Sequence, residues 1–504
     1  MGSLAAWPRL IVALWALARA DALAPREIEP LLPGPLRIVA RTTRIFAGRE
    51  ARHGRPGQRL AAVLERLGPV AIKFGQFLST RADIFGAAFT DDLAHLKDRL
   101  APFPTAQARA EVERALGRPI TDLFSGFQDS VAAASLAQAH RATFVDGRVV
   151  AVKVLRPDVE RRVAADTNTL MLAARIAEAW PFARRLEPRA FAATVARALH
   201  LELDLRFEAA GADELRAIME RDGFMAAPRV IWDGVARRVL TLEWARGEAL
   251  SDPAALEQPG VDRARLAQNL VRAFLAQALD HGVFHADLHE GNLFVAPPAS
   301  LTVVDFGIMG RLRPLERRYL AEILWSFLRR DYQRLADLHF EAGYVPIHHD
   351  RGAFGQALRA VGEPVFGRPA SEVSMGRVLT QLFEITALFD MRLRPELVLL
   401  QKTMVTVEGV ARRIDPGNDI WKAAEPVVRR WIARELSPVA RVRSLAADAK
   451  AALEAASRLA ADVEPPAARP APSSPPRRGV ALTLAFALGV LAAALVFALA
   501  AWIR

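Results

Sequence analysis

Residues 283–310 read VFHADLHEGNLFVAPPASLTVVDFGIMG, and their order decides the architecture. A stretch with Leu266, Leu270, Phe274 and Ala278 at helical spacing leads into them. Asp287 follows, then Asn292 five residues on, a short apolar strand, a Pro-bearing turn, and a second strand ending in Asp305-Phe306-Gly307. This pattern predicts a hairpin with Asn292 and Asp305 on opposite arms and Asp287 one loop away. Magnesium takes hard oxygen ligands such as carboxylates and amide carbonyls. Asn292 and Asp305 are therefore the candidate metal ligands, reaching one ion from two directions. Asp287 is placed to accept or orient the proton of an attacking hydroxyl or water.

The order Asp-xxxx-Asn followed by Asp-Phe-Gly is that of the catalytic and metal-binding loops of protein kinases. His285, Asp287 and His289 alternate, which offers a rival reading as a transition-metal site. Such a site needs open coordination positions and second-shell support. With the Asp-Phe-Gly in register downstream, histidines that hydrogen-bond the loop into shape are expected instead.

A site of this kind needs a cation offered to the phosphates from a strand. Lys153 sits inside the β-branched run Val149–Leu155 and, if buried there, requires a carboxylate partner. The loop before that strand should cradle phosphate, yet Ala132, Ala133, Ala134 and Ser135 stand where glycines belong. Backbone amides can still face phosphate, but positive φ and very close approach become harder, so the nucleotide is held differently from that of a protein kinase. The strand Arg238–Trp244 ends where a hinge belongs, and backbone groups of Glu243, Trp244 and Ala245 are the candidates for meeting adenine. After Gly310 the chain turns helical almost at once, leaving little room for a long peptide-docking segment.

The 504 residues are enough for a two-lobed catalytic unit with extensions, and 52% hydrophobic residues suffice for a sizeable core. Without a single cysteine the chain has no disulfides, thiolate metal sites, iron–sulfur clusters or cysteine nucleophiles. The formal net charge is +11, carried largely by Arg scattered through helical stretches, and no zinc finger, RRM signature or basic-aromatic stripe points to nucleic acid. Nor does any GxGxxG after a strand point to a flavin.

From Gly479 to Ile503 run 25 uncharged residues preceded by Arg477 and Arg478. As a helix such a stretch spans about 37 Å, enough to cross a hydrocarbon core of roughly 30 Å. A single-pass C-terminal anchor in the bacterial inner membrane is expected, with the body in the cytoplasm. Glu464–Pro476 is a proline-rich spacer that keeps the body clear of the bilayer. Residues 7–23 carry Arg9, Arg19 and Asp21 around a short apolar stretch, which suits an amphipathic helix lying on the membrane or on the body better than a signal peptide.

These residues converge on a family. The sequence resembles the UbiB family of atypical kinases, also called aarF-domain or ADCK-type, from about residue 30 to 440. Lys73-Phe74-Gly75-Gln76 is similar to its KxGQ signature, Ala132–Ser135 to its alanine-rich loop, and Glu202-Leu203-Asp204 to its ExD motif. His285–Asn292 is similar to its HADxHxGN loop, with Glu290 where proline is expected. The resemblance implies that Lys153 pairs with Glu208, and that Lys73 and Gln76 lie on an extension folded over the site near Glu202 and Asp204. It implies Mg-ATP as ligand, and an ATPase or small-molecule kinase supporting ubiquinone biosynthesis at the membrane, with doubtful action on proteins. Membrane lipid, quinone precursors and other quinone-biosynthesis enzymes are the implied partners. A nucleotide-gated scaffold and a lipid kinase of another pathway are the alternatives.

The expected fold is α+β: a bilobal protein-kinase-like body with a helical N-terminal extension and a C-terminal transmembrane helix. The expected divisions are an amphipathic helix over 1–30, a helical extension over 31–120, an N-lobe over 121–246 and a C-lobe over 247–445. A helix and linker over 446–478 and the span 479–503 complete the chain.

Overall fold

The computed structural model describes residues 6–23, 25–27, 41, 44–48, 54–79, 87–94, 96, 101–179, 187–366, 381, 385, 388–391 and 395–435. The chain divides into units Met1–Ser437 and Pro438–Arg504, and every described residue lies in the first. The expected helix and linker over 446–478 and the span 479–503 lie outside the described residues. Among the described residues no helix is long and apolar enough to cross a membrane.

Helix α1 (Ala6–Arg19) turns Leu10 inward and leaves Trp7, Ile11, Val12 and Trp15 exposed. Helices α2 (Pro56–Leu67), α3 (Pro69–Leu78) and α4 (Ala87–Ala94) follow. Gly68, at φ 100°, makes the corner between α2 and α3, and a proline starts each helix, where its fixed φ suits the first turn. After α5 (Thr105–Leu116), strands β1 (Phe124–Ala133), β2 (Ala137–Phe144) and β3 (Val149–Leu155) form an antiparallel meander. Helices α6 (Val159–Glu178), α7 (Pro188–Glu202) and α8 (Leu205–Asp222) separate β3 from its other neighbour, β4 (Val239–Glu243). The sheet order is therefore β1-β2-β3-β4.

Strand period two explains the placement of the key lysine. Val150, Val152 and Val154 are fully buried on one face of β3, packing with Val112 of α5 and with Phe124, Phe127 and Phe144. Ala151 and Lys153 therefore point from the opposite face.

The second part of the body is mostly helical. It comprises β5 (Glu248–Ala249), α9 (Arg263–Ala276), β6 (Val283–His285), β7 (Leu293–Ala296), β8 (Ser300–Val303) and β9 (Met309–Arg311). Then come α10 (Pro314–Leu328), α11 (Tyr332–Glu341), α12 (Arg351–Phe366), α13 (Pro395–Ile414) and α14 (Ile420–Glu435). Strands β7 and β8 pair as the expected hairpin, with Leu293 opposite Val303, while β6 pairs with β9. Gly310 permits that second pairing, since a Cβ there would fall 2.1 Å from the Phe284 ring. The α+β, kinase-like content of the expectation thus stands in the described residues.

Candidate active site

The candidate catalytic loop, residues 285–292, is shaped from behind. Helix α9 ends in a π-helical turn over Gln277–His281, and Gln277 Oε1 accepts the His285 N–H at 3.0 Å. The buried His285 ring accepts the Asp287 amide at Nδ1 (3.2 Å), so Nε2 carries the proton and donates to the Asp305 carbonyl at 2.9 Å. Both ring nitrogens are thereby used, and burial lowers the pKa of this imidazole. His289 Nδ1 likewise accepts the Gly291 amide at 3.0 Å. The histidines shape the loop; with both His285 nitrogens engaged, the alternating transition-metal reading loses one of its two imidazoles, while His289 Nε2 lies 3.6 Å from Asp287 Oδ2.

The Asn292 side-chain amide donates to the Asp287 carbonyl at 3.0 Å, which leaves its Oδ1 as an acceptor. Asp305 lies just past β8 at φ 64°, a left-handed conformation that a non-glycine residue adopts at a cost. Phe306, 1% exposed and edge-on to the His285 ring at 5.5 Å, anchors that turn in the core. The Val304 amide donates to the Asn292 carbonyl at 2.9 Å, which sets Asn292 beside the residue before Asp305, and an amide oxygen and a carboxylate on such adjacent arms are a donor set that fits a hard divalent cation.

Lys153 reaches across to Asp305 of this pair. Its Nζ lies 2.8 Å and 3.0 Å from the two Glu208 oxygens and 3.1 Å from Asp305 Oδ1. Burial pulls the lysine pKa down, but the charges of Asp305 and Glu208 outweigh it and hold the ammonium above its usual range. Lys153 in turn holds the Asp305 carboxyl well below the usual carboxylate range. For Glu208, burial wins over the lysine and pushes the carboxyl up to about 7.

The extension meets the body beside this cluster. Lys73 Nζ is 2.6 Å from Glu202 Oε1, linking α3 to α7. Phe74 and Phe77 pack edge-on against Phe191 of α7, at 5.6 Å and 6.5 Å between ring centroids. Gln76 lies on the same helix, its carbonyl accepting the Ser79 hydroxyl at 2.7 Å. Asp204 takes a different part from Glu202. It caps α8 by accepting the Arg206 amide at 3.2 Å and pairs with the Arg206 guanidinium at 2.6 Å, rather than reaching α3.

The alanine segment belongs partly to the sheet. Ala132 and Ala133 end β1, and the turn itself is Ala134 to Leu136, with Ser135 buried. The Ala134 amide donates to the Ala137 carbonyl at 2.8 Å, and Arg156 Nε donates to the Ala134 carbonyl at 2.9 Å. At the expected hinge, the Glu243 amide is taken by the Arg229 carbonyl (2.9 Å) and the Trp244 amide by the Val149 carbonyl (3.0 Å). Arg141 stacks over the Trp244 ring at 5.1 Å. Ala245 is the one of the three expected hinge residues whose amide makes no backbone bond among the described residues.

Two features of the site were not legible in the sequence. Helix α13 lies against the catalytic loop, where buried Thr403 Oγ1 is 3.2 Å from the Ala286 carbonyl. Arg413 of the same helix forms an ion pair with Glu290, the residue that stands in place of proline. Neither contact has a local signal, because more than a hundred residues separate the partners.

Residues 95–339 match the ABC1 atypical kinase-like domain, and residues 358–419, which include Thr403 and Arg413, match the UbiB helical domain. A probable protein kinase UbiB of Marinobacter nauticus is 41% identical over 395 residues, 77% of this chain and 72% of that protein. A probable protein kinase UbiB of Xylella fastidiosa strain M23 is 41% identical over 390 residues, 76% of this chain and 71% of that protein. One of Xanthomonas campestris pv. campestris is 42% identical over 395 residues, again 76% and 71%. A solved Rv3197–erythromycin complex from Mycobacterium tuberculosis is 21% identical, with a TM-score of 0.48, covering 70% of this chain and 94% of that one.

Proposed function

This chain belongs to the UbiB family of ABC1 atypical kinase-like proteins, and from that membership we propose that it binds Mg-ATP and acts at the membrane in support of isoprenoid quinone biosynthesis. In this reading it hydrolyses ATP or phosphorylates a small molecule. The observation that carries the reading is the convergence of Lys153, Glu208 and Asp305 within 3.1 Å, beside Asn292 and Asp287.

Asn292 and Asp305 would hold a magnesium ion, which would supply neutralising charge during phosphoryl transfer. Lys153, oriented by Glu208, binds phosphate oxygens. Asp287 takes the proton of the attacking oxygen as the new O–P bond forms and ADP leaves. The Ala245 amide, unengaged by backbone, is the hinge donor for adenine, and the turn at Ala134 and Ser135 lies over the phosphates. Two observations favour water or a small hydroxyl over a protein as acceptor. The extension is tied down beside the site by Lys73 and Glu202, and the chain from Asp-Phe-Gly reaches α10 by Pro314. The apolar stretch 479–503 supplies the proposed anchor in the bacterial inner membrane, with the body in the cytoplasm and quinone precursors and lipid within reach.

Thermal melts of the full chain in detergent test the nucleotide site. Mg-ATP at 100 times its dissociation constant should stabilise by about 2.7 kcal/mol. That shift is expected for the wild-type chain and lost in Asp305→Asn. No shift in a folded wild-type chain refutes nucleotide binding. Normal quinone levels in cells carrying only Asp305→Asn would refute the pathway.

A further inference from the structure

Helix α13 carries a basic side chain toward the catalytic loop. Thr403, one residue further along, is buried with its hydroxyl 3.2 Å from the carbonyl of Ala286, the residue before Asp287. Arg413 holds Glu290, three residues after Asp287. Lys402 and Arg413 are eleven positions apart, about three helical turns, so they share one face of α13. The face that gives Arg413 to the loop at Glu290 therefore gives Lys402 to it near Asp287.

Among the described residues the Lys402 ammonium makes no hydrogen bond or ion pair, while its backbone carbonyl accepts the Thr406 hydroxyl at 3.0 Å. Lys153 and Lys73 differ in this respect, since Glu208 and Asp305 engage the first and Glu202 the second. The loop between Asp287 and Asn292 reads Leu-His-Glu-Gly and supplies no lysine or arginine of its own. Desolvation by the surrounding protein lowers the Lys402 pKa, against the attraction of Asp287 and with the help of repulsion from Lys73. That is the condition of an ammonium short of anionic partners.

We propose that Lys402 is a catalytic residue of this site, contacting the terminal phosphoryl group on the Asp287 side while Lys153 holds the phosphates from β3. The proposal rests on the Mg-ATP reading above. As the attacking oxygen loses its proton to Asp287, its bond to phosphorus forms and the bond from phosphorus to the β-phosphate oxygen breaks. Charge is then spread over three equatorial oxygens, where a fixed ammonium is worth most. The helical domain would thus complete the active site as well as support it.

The test uses the full chain in detergent, with Lys402→Met and Lys402→Arg beside the wild type. Affinities for Mg-ADP and for a non-hydrolysable Mg-ATP analogue are measured with ATP turnover. Lys402→Met should weaken the analogue about tenfold while leaving ADP affinity unchanged, and lower kcat about 100-fold with a smaller change in KM. Lys402→Arg should recover most of both. Unchanged analogue affinity and turnover in Lys402→Met overturn the proposal. So does equal weakening of ADP and analogue with a lowered Tm in both variants, which would mark a purely structural lysine. A wild-type chain that binds neither nucleotide is recognised by its failure with ADP, and it removes the Mg-ATP reading and this proposal together.

Discussion

Lys153 and Glu208 form an ion pair whose members respond differently to burial. The lysine has two carboxylates and stays charged, whereas Glu208 shares its lysine with Asp305 and is pushed up to about 7. A raised carboxyl pKa means that, above the usual value of 4.5, the folded chain keeps a proton the unfolded chain releases. Stability from this group is full below pH about 4.5 and is lost as pH rises through about 7. Melts of wild type and Glu208→Gln between pH 5 and 8 should show wild type losing stability relative to the variant, by at most about 1.4 kcal/mol per pH unit. Parallel curves would refute the assignment. The need for a carboxylate near Lys153 was legible from the cost of burying a lysine in a strand. That it is Glu208 was not, since α6 and α7 intervene and only the family resemblance pointed past them. The strand before the expected hinge was legible, and it runs Val239–Glu243, but which of the Glu243, Trp244 and Ala245 amides was left without a backbone partner depended on Arg229 and Val149, whose carbonyls no local pattern reveals.

Elements rather than single side chains explain the glycine of the KxGQ segment. Gly75 lies inside α3, and a Cβ there would come within 2.3 Å of Leu96 and 2.6 Å of Leu64, so the close approach of α3 to its neighbours requires it. Gly75→Ala should lift α3 and weaken the Lys73–Glu202 tether. Hydrogen exchange of residues 69–78 should then rise by tenfold or more while β3 stays protected; unchanged exchange would show that the packing yields without loss. The contact of α13 with the catalytic loop offers a second check. Glu290→Arg with Arg413→Glu should restore turnover that either single reversal lowers, if the pair positions the loop. The hairpin that carries Asn292 and Asp305 was legible because two short apolar strands flank a Pro-Pro turn. The docking of α13 was not, because its apolar positions read the same whether they face a core or a catalytic loop.

On the scale of the whole chain, the candidate site residues come from five regions: the extension, the four-stranded sheet, helices α7 and α8 with Glu202 and Glu208, the loop and hairpin from Asp287 to Asp305, and the helical domain. The proposed anchor adds a sixth. Removing residues 465–504 should release the chain from membranes on fractionation while leaving its Mg-ATP melt shift intact; a truncated chain that still pellets with membranes would place the attachment elsewhere, with the exposed Trp7, Ile11 and Trp15 of α1 next to examine.

Lys153 and Asp305 also join parts of the body that the sequence keeps 152 residues apart. In the Mg-ATP reading proposed above, a divalent ion arriving at Asp305 would compete with an ammonium already bonded to one of its oxygens. A phosphate drawn to Lys153 would relieve that competition, and the ion would in turn free the lysine for phosphate. Metal and nucleotide should therefore load cooperatively, each raising the other's affinity by the same factor. The contact would then work as an interlock: magnesium by itself would find the door held shut, and the nucleotide would bring the key.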